Sequence, residues 1–591
     1  MNKRRSLGFL CCFVLVSIGA WAQSIGQQGT DPFTGKPGSP TSPVSAPNTD
    51  DHSSPHANEE RVLKFKSEAV IVLVPAVVTD KSGNHIHSLT KKDFKVSENG
   101  KPQKITTFEE VVASTSRPAL VTNPPGTFSN LPVGGQQPVS ITVIALDTIN
   151  TPFLDQASGR KELIKYLANS LDSARSLGLV VISSKGVKVL GGLNSDPAAL
   201  IAALKKTSGE LTSMEAFSAD GKALANFEAQ PSELTGGVSP GADPGSRLRQ
   251  FILSADALEG QYQQQRAIED TMKAFLSIAM SLSGIPGRKS LLWATGSFPF
   301  TLDSPSSVPG GNLSLLYERT LQALNDAQVS VYPLDVRGLV GGSPVADPTF
   351  SGDLSGPGFA DAVAGRSALQ TSTISSLKNF AEMTGGRAYY NNNDLAAGFK
   401  RAADDSSSYY LLGYYADHHD TKPGWRKLQV QVARPDVEVH ARTGFLVTNA
   451  TIDPDLTRKA DVDFALSSPF DSTGIPVTVE WLPQEPDGEK KKIAFALRVP
   501  ATSVIDEADS NRFDTDFIAQ VSKTGAAPSR AAQTVKGAVP ASALDKIKAE
   551  GIFYRNALEL LPGMYQVRFV VRDNLSGRIG SVSAPLTVNF R

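Results

Sequence analysis

The chain has 591 residues, too many for one hydrophobic core, so roughly two to four domains are expected. Lys and Arg number 58 against 59 Asp and Glu, a formal net charge of −1, which argues against nucleic acid as a partner because phosphates call for a basic face. Both cysteines, Cys11 and Cys12, fall in the leader, so disulfides, thiol catalysis and cysteine-held metals are excluded from the mature chain.

Residues 1–22 read as a secretory signal: Lys3, Arg4 and Arg5, an apolar stretch from Leu7 to Ile18, and Ala20-Trp21-Ala22 before Gln23. The apolar stretch falls short of the roughly 20 residues that span a bilayer, so no transmembrane helix is expected after cleavage. Gly8-Phe9-Leu10 before Cys11 makes no lipoprotein signature. The expected location is secreted, or periplasmic and cell-envelope. Residues 23–60 are dominated by Gly, Pro, Ser, Thr, Gln and Asp and read as a disordered tether.

Residues 61–113 read as a small β module. Val70 to Thr79 is a long β run, Asp80 to Asn84 a turn, and Phe94 to Glu98 an alternating strand closed by the hairpin signal Asn99-Gly100. A linker rich in Pro, Gly and Ser follows over 114–137.

From 138 to 447 strands and helices alternate, which predicts an α/β, doubly wound, mostly parallel sheet with helices on both faces. Ile141 to Leu146 is a buried strand ending in Asp147-Thr148-Ile149-Asn150-Thr151. Ligands of such sheets collect outside the carboxyl ends of the strands, so Asp147 stands where a site belongs. Helices are predicted over Ser158–Ala174, Pro197–Leu204, Arg266–Leu282, Leu315–Ala327 and Ile374–Thr384, and strands over Leu179–Ser183, Lys289–Thr295, Val329–Asp335 and Arg387–Tyr390. Insertions near 206–246 and 338–372 have the composition of mobile segments. Ser408–Tyr415, Lys427–Ala433 and Val437–Val439 read as antiparallel strands that cap or extend this sheet. After a linker over 448–470, residues 471–591 show short alternating strands and predict a sandwich resembling immunoglobulin-like modules.

The region 61–447 resembles von Willebrand factor A domains, and more closely the exported VWFA-related proteins of the acidobacterial type. The resemblance is carried by Val77-Val78-Thr79-Asp80 with Gly83, Leu89-Thr90-Lys91-Lys92-Asp93-Phe94, Asp147-Thr148-Ile149-Asn150-Thr151, Gly287-Arg288-Lys289-Ser290-Leu291, Tyr332 to Gly338, Thr384-Gly385-Gly386-Arg387 and Tyr409 to Tyr414. It implies a metal-ion-dependent adhesion site, in which Asp-x-Ser-x-Ser, a loop Thr and a later Asp hold Mg²⁺. Asp147 and Thr151 match that pattern as metal ligands. Ile149 occupies the first Ser position and cannot coordinate, Thr295 stands where the second Asp is due, and Thr212 is the candidate for the loop Thr. The plainer reading is that Asp147 closes a turn or caps the next helix. Asp335 and Arg337, at another strand end, either contact ligand or pair with each other.

An enzyme needs an activated nucleophile and a base. The histidines are His52, His56, His85, His87, His418, His419 and His440, none of them within 138–407. Asp417-His418-His419-Asp420 precedes Thr421-Lys422-Pro423-Gly424 and reads as a hairpin tip. Gly287-Arg288-Lys289-Ser290 precedes a strand instead of opening a helix, so it cannot serve as a phosphate loop. The expected function is therefore non-enzymatic binding of a protein ligand or cell-envelope component, through Asp147, Thr148, Asn150, Thr151, Thr295, Asp335 and Arg337. The alternative is an envelope scaffold without metal, and the third reading a secreted hydrolase.

Overall fold

A computed structural model describes residues 71–112, 123–131, 141–169, 176–193, 196–209, 244–298, 311–338, 373–416, 424–447, 454–487, 489–507 and 511–589. The stretches expected as signal and tether, most of both expected insertions, Thr212 and Asp417–Asp420 lie outside these residues.

The central sheet is built from β6 (Ile141–Asp147), β7 (Ser176–Ser183), β8 (Gly186–Gly191), β9 (Lys289–Thr295) and β10 (Val329–Asp335), in the order β10-β9-β6-β7-β8. Counted within the domain this is 3-2-1-4-5, the order of a doubly wound sheet. β6, β7, β9 and β10 run parallel, and β8 returns antiparallel to form one edge. Every residue of β6, β9 and β10 is buried, as continuous apolar runs require when both faces are covered.

The two faces sort by the period of two along each strand. Ile141, Val143, Ala145, Leu291, Trp293, Val329 and Val331 meet α3 (Pro244–Leu282), α4 (Gly311–Asp326) and α5 (373–384). Ile144, Leu146, Leu292, Ala294, Tyr332 and Leu334 meet α1 (Phe153–Asn169), α2 (Pro197–Lys206) and α6 (Leu395–Asp404). The predicted strand at Arg387–Tyr390 is reduced to a single parallel bridge between Leu334 and Tyr389.

The strands after α6 do not extend this sheet. β11 (Ser408–Tyr415) and β13 (Val437–His440) flank β1 (Ile71–Asp80), and β4 (Ile105–Val112) completes a sheet ordered β13-β1-β11-β4. A second sheet, β14-β12-β2-β3, joins β12 (Gly424–Val432) and β14 (Gly444–Val447) to β2 (Phe94–Glu98) and β3 (Lys101–Gln103). One core holds the two sheets together, with Val74, Val78, Phe94, Val96, Tyr410 and Leu412 inside. The β module is thus assembled from chain on both sides of the α/β domain, which is inserted within it. Asn99 and Gly100 have φ of +48° and +80°, as the predicted tight hairpin demands.

The C-terminal residues form two further antiparallel sheets, β19-β16-β15-β5 and β18-β17-β20-β21, around one core that includes Val479, Phe495, Phe517 and Phe569. Here β15 is Thr478–Asp487, β16 Lys490–Val499, β17 Arg512–Ser522, β18 Ser529–Ala538, β19 Ile552–Leu560, β20 Gly563–Asp573 and β21 Ile579–Val588. Helix α8 (Ala541–Glu550) lies between β18 and β19. Two stretches expected as linkers are structural. β5 (Thr127–Ser129) pairs with β15, and α7 (Pro454–Ser467) packs on β20 and β21. The α/β domain abuts this module at Gly284, where an added Cβ would stand 1.8 Å from the Thr473 carbonyl oxygen, so only glycine admits that approach.

Candidate functional site

The β6 run ends in a carboxylate that the loop folds around. Asp147 is 2 % exposed, and its Oδ1 accepts from the backbone N–H of Ile149 and of Asn150, both at 3.0 Å. This is the turn an Asp at a strand end makes with the amides two and three residues on. Its Oδ2 accepts from Asn150 Nδ2 at 2.7 Å, Trp293 Nε1 at 2.9 Å and Thr295 Oγ1 at 3.1 Å. Burial holds the carboxyl above the usual carboxylate range, and the hydrogen bonds from Asn150, Trp293 and Thr295 offset only part of that rise.

The neighbouring polar groups are engaged in the same closed network. Thr148 donates through Oγ1 to the Ile182 carbonyl at 2.9 Å, fastening the loop to β7. Asn150 Nδ2 also reaches Thr271 Oγ1 on α3 at 2.8 Å, and Ser297 Oγ donates to the Asn150 carbonyl at 2.9 Å. Thr151 Oγ1 accepts from Gly296 N at 2.9 Å, binding the loop to the end of β9. Gln156 Nε2 holds the carbonyls of Thr148 and Thr151 from the first turns of α1. A cavity of about 20 Å³ lies beneath, bounded by Asp147, Thr148, Gln156, Arg160 and Val336, with room for one water.

These contacts bear on the expectation of a metal at Asp147 and Thr151. Mg²⁺ needs oxygens with free lone pairs in octahedral array. The carboxylate of Asp147 already receives five donors, and Thr151 Oγ1 accepts a backbone amide. Ile149, at the first Ser position, is 8 % exposed and belongs to the core beneath α3 and α4. Thr295, in place of the second Asp, turns its hydroxyl toward Asp147 Oδ2 and the Ser297 carbonyl. The donor set does not fit Mg²⁺: positions that would face an ion face the protein.

Asp335 and Arg337 form their own unit at the end of β10. Arg337 Nε donates to Asp335 Oδ1 at 2.8 Å and Nη2 to Oδ2 at 2.7 Å, a bidentate pair whose carboxylate is fully buried. Thr295 sits beside Asp335 across the β9–β10 register, so Thr295 connects the two strand ends. Arg288 and Lys289, set aside above as a phosphate loop, are buried at the opposite end of β9. Lys289 Nζ donates to the Ile285 carbonyl, and burial pushes its amine down to about 7.

Sequence reasoning missed Trp293, Thr271 and Gln156. Trp293 is indistinguishable in sequence from a core tryptophan, and its ring does pack edge-on against Phe275 and Phe298 while its N–H serves Asp147. What the clamped loop presents outward is apolar: Phe153 and Leu154, which open α1 directly after Pro152, are 43 % and 72 % exposed. A larger cavity, about 500 Å³, lies elsewhere, between the α/β domain and the C-terminal module, lined by Val143, Val180, Leu193, Ile278 and Phe470 among others. Its polar wall residues Asn130 and Asp471 are engaged with backbone and with Ser583.

Fold and site together define a doubly wound α/β domain with a closed, acid-centred loop at its carboxyl edge. No protein-family model matches the chain, and no curated protein matches it. Among solved structures it is similar to the crystal structure of the TFIIH p34 N-terminal domain, with 13 % identity, 33 % of this chain and 79 % of that chain covered, and a TM-score of 0.15. It is also similar to the crystal structure of the SpRpn10 VWA domain, with 12 % identity, 33 % and 88 % covered, and a TM-score of 0.14. Strand order and direction define the fold.

Proposed function

We propose that this chain is an exported, non-enzymatic protein-binding component whose vWA-like α/β domain offers a ligand surface at the carboxyl edge of its sheet, without a metal ion. The observation that supports it is the pairing of a rigid loop with an exposed apolar step. Asp147, Thr148, Asn150 and Thr151 lock the loop through buried hydrogen bonds, and Phe153 and Leu154 stand exposed on the helix that follows. Rigid presentation of large apolar side chains lowers the ordering cost of association. The expected partner is a protein ligand or a cell-envelope component.

The reading as an envelope scaffold is favoured by a separate feature, the interlacing of modules: β1–β4 with β11–β14 around the α/β domain, and β5 in the C-terminal module. The two readings divide on one experiment, in which mature chain is co-sedimented with isolated envelope fractions of its source organism. Binding at the sheet edge predicts retention that survives EDTA and falls at least about tenfold in Leu154→Glu, the scale of one buried apolar anchor. Retention that EDTA abolishes would overturn the metal-free surface, and retention unchanged by Leu154→Glu would move the contact to the β modules.

A further inference from the structure

His440, the last residue of β13, meets the α/β domain at a junction where polar contacts cluster beside the packing of Trp425 on the α/β core. Its Nε2 lies in hydrogen-bond contact with Arg387 Nη2, which follows α5. A guanidinium can only donate, so the partner assigns Nε2 as acceptor and places the ring proton on Nδ1. The histidine must therefore be neutral for the contact to form. Around it the two modules are stitched by Thr443 N to the Glu382 carbonyl at 3.0 Å, and by Arg288 N to Tyr409 Oη at 3.0 Å. Gly385, at φ +80°, lies so close that an added Cβ would stand 2.8 Å from Arg442 N.

The charged groups facing this point come from every element that meets there. Glu438 on β13 lies 3.6 Å from His440 and has a half-exposed carboxylate. Arg387 faces it from the segment after α5 and buried Arg288 from the start of β9. Asp405, in the turn after α6, is buried among Arg387, Arg288 and His85 with Oδ2 unpartnered. A second cation at His440 would stand in contact with one guanidinium and near another, offset by a carboxylate that water already screens.

We infer that the His440–Arg387 contact is an acid-released latch, which holds the 437–447 segment of the β module on the α/β domain while His440 is neutral and lets it separate when the ring takes a proton. Burial, followed by the Arg387 charge, holds the imidazole down at about 4, against the opposing pull of Glu438. The unfolded or undocked ring titrates near 6.5 and so binds a proton first. The latch thus contributes fully above about pH 6.5 and is lost as pH falls toward 4.

Hydrogen exchange on the full chain tests this. Between pH 7.5 and 4.5 the protection factors over 437–447 are expected to fall more than about tenfold, while those of β20 hold. In His440→Gln, whose Oε1 keeps an acceptor for Arg387, the fall is expected to disappear. An equal fall in His440→Gln, or none in the parent chain, overturns the latch. Should that variant not fold, Glu438→Gln removes the carboxylate that favours the protonated ring, which lies 3.6 Å from His440 and 3.7 Å from Arg387; with exchange followed down to about pH 3.5, the fall over 437–447 should continue about half a pH unit lower than in the parent chain. A fall that ends at the parent's pH, or above it, overturns the latch equally.

Discussion

Asp147→Ala is expected to destabilise the α/β domain by about 4 kcal/mol, more than a typical core truncation of similar size. The alanine itself fits. The cost arises from the donors it strands: two backbone amides, the Asn150 amide and the Trp293 indole N–H, in a place that is 2 % exposed. Each orphaned buried donor costs about 1–3 kcal/mol, and one water seated in the vacated volume recovers part of the sum. Asp147→Asn should rescue little, because its amide would point a donor at groups that are themselves donors. Urea unfolding followed by tryptophan fluorescence measures the effect, since Trp293 sits in the affected core. A loss below about 1 kcal/mol would mean that the network is not what holds the loop.

Asp461→Ala carries the second largest expected effect, and it reports on how the modules are joined. Asp461 on α7 accepts from Arg572 Nε at 3.1 Å and Nη2 at 2.9 Å, and its other oxygen meets Arg319 of α4. Arg572 on β20 is 6 % exposed, so removing the carboxylate leaves a buried guanidinium whose remaining side-chain acceptor among the described residues is Asn574. Breaking one side of such a pair costs about 3–5 kcal/mol, whereas the half-open Arg319 arm adds little. Since the contact runs from the α/β domain through α7 to the C-terminal module, calorimetry should show one transition splitting into two. A single transition lowered as a whole would show that the modules are held by other contacts.

How much of this was legible in the sequence follows from what local patterns can carry. The β6 strand and its terminal Asp were readable because an uninterrupted apolar run has few alternatives to a strand buried on both faces. The Asn99-Gly100 hairpin was readable because few dipeptides accept two positive φ values. The partners of β1 and β2 were not, because their pairing strands lie beyond the whole α/β domain, and period-2 patterns name no partner. The short β5 and the helix α7 hid in stretches whose Pro, Ser and Asp content resembles linker. At the site, Ile149 was readable as a position that cannot coordinate; that it instead fills the core beneath α3 depends on packing that no local signal encodes. The same holds for Trp293, whose indole N–H answers a carboxylate on a neighbouring strand.

The central claim is that the acid at the sheet's carboxyl edge serves the fold and not an ion. Its most direct test is isothermal titration of Mg²⁺, Mn²⁺ and Ca²⁺ into the purified mature chain, with Thr151→Val beside it. No saturable heat is expected up to millimolar cation in either protein. A one-site isotherm in the parent chain that Thr151→Val abolishes would contradict it, and would mean that the loop opens to give Asp147 and Thr151 to a metal.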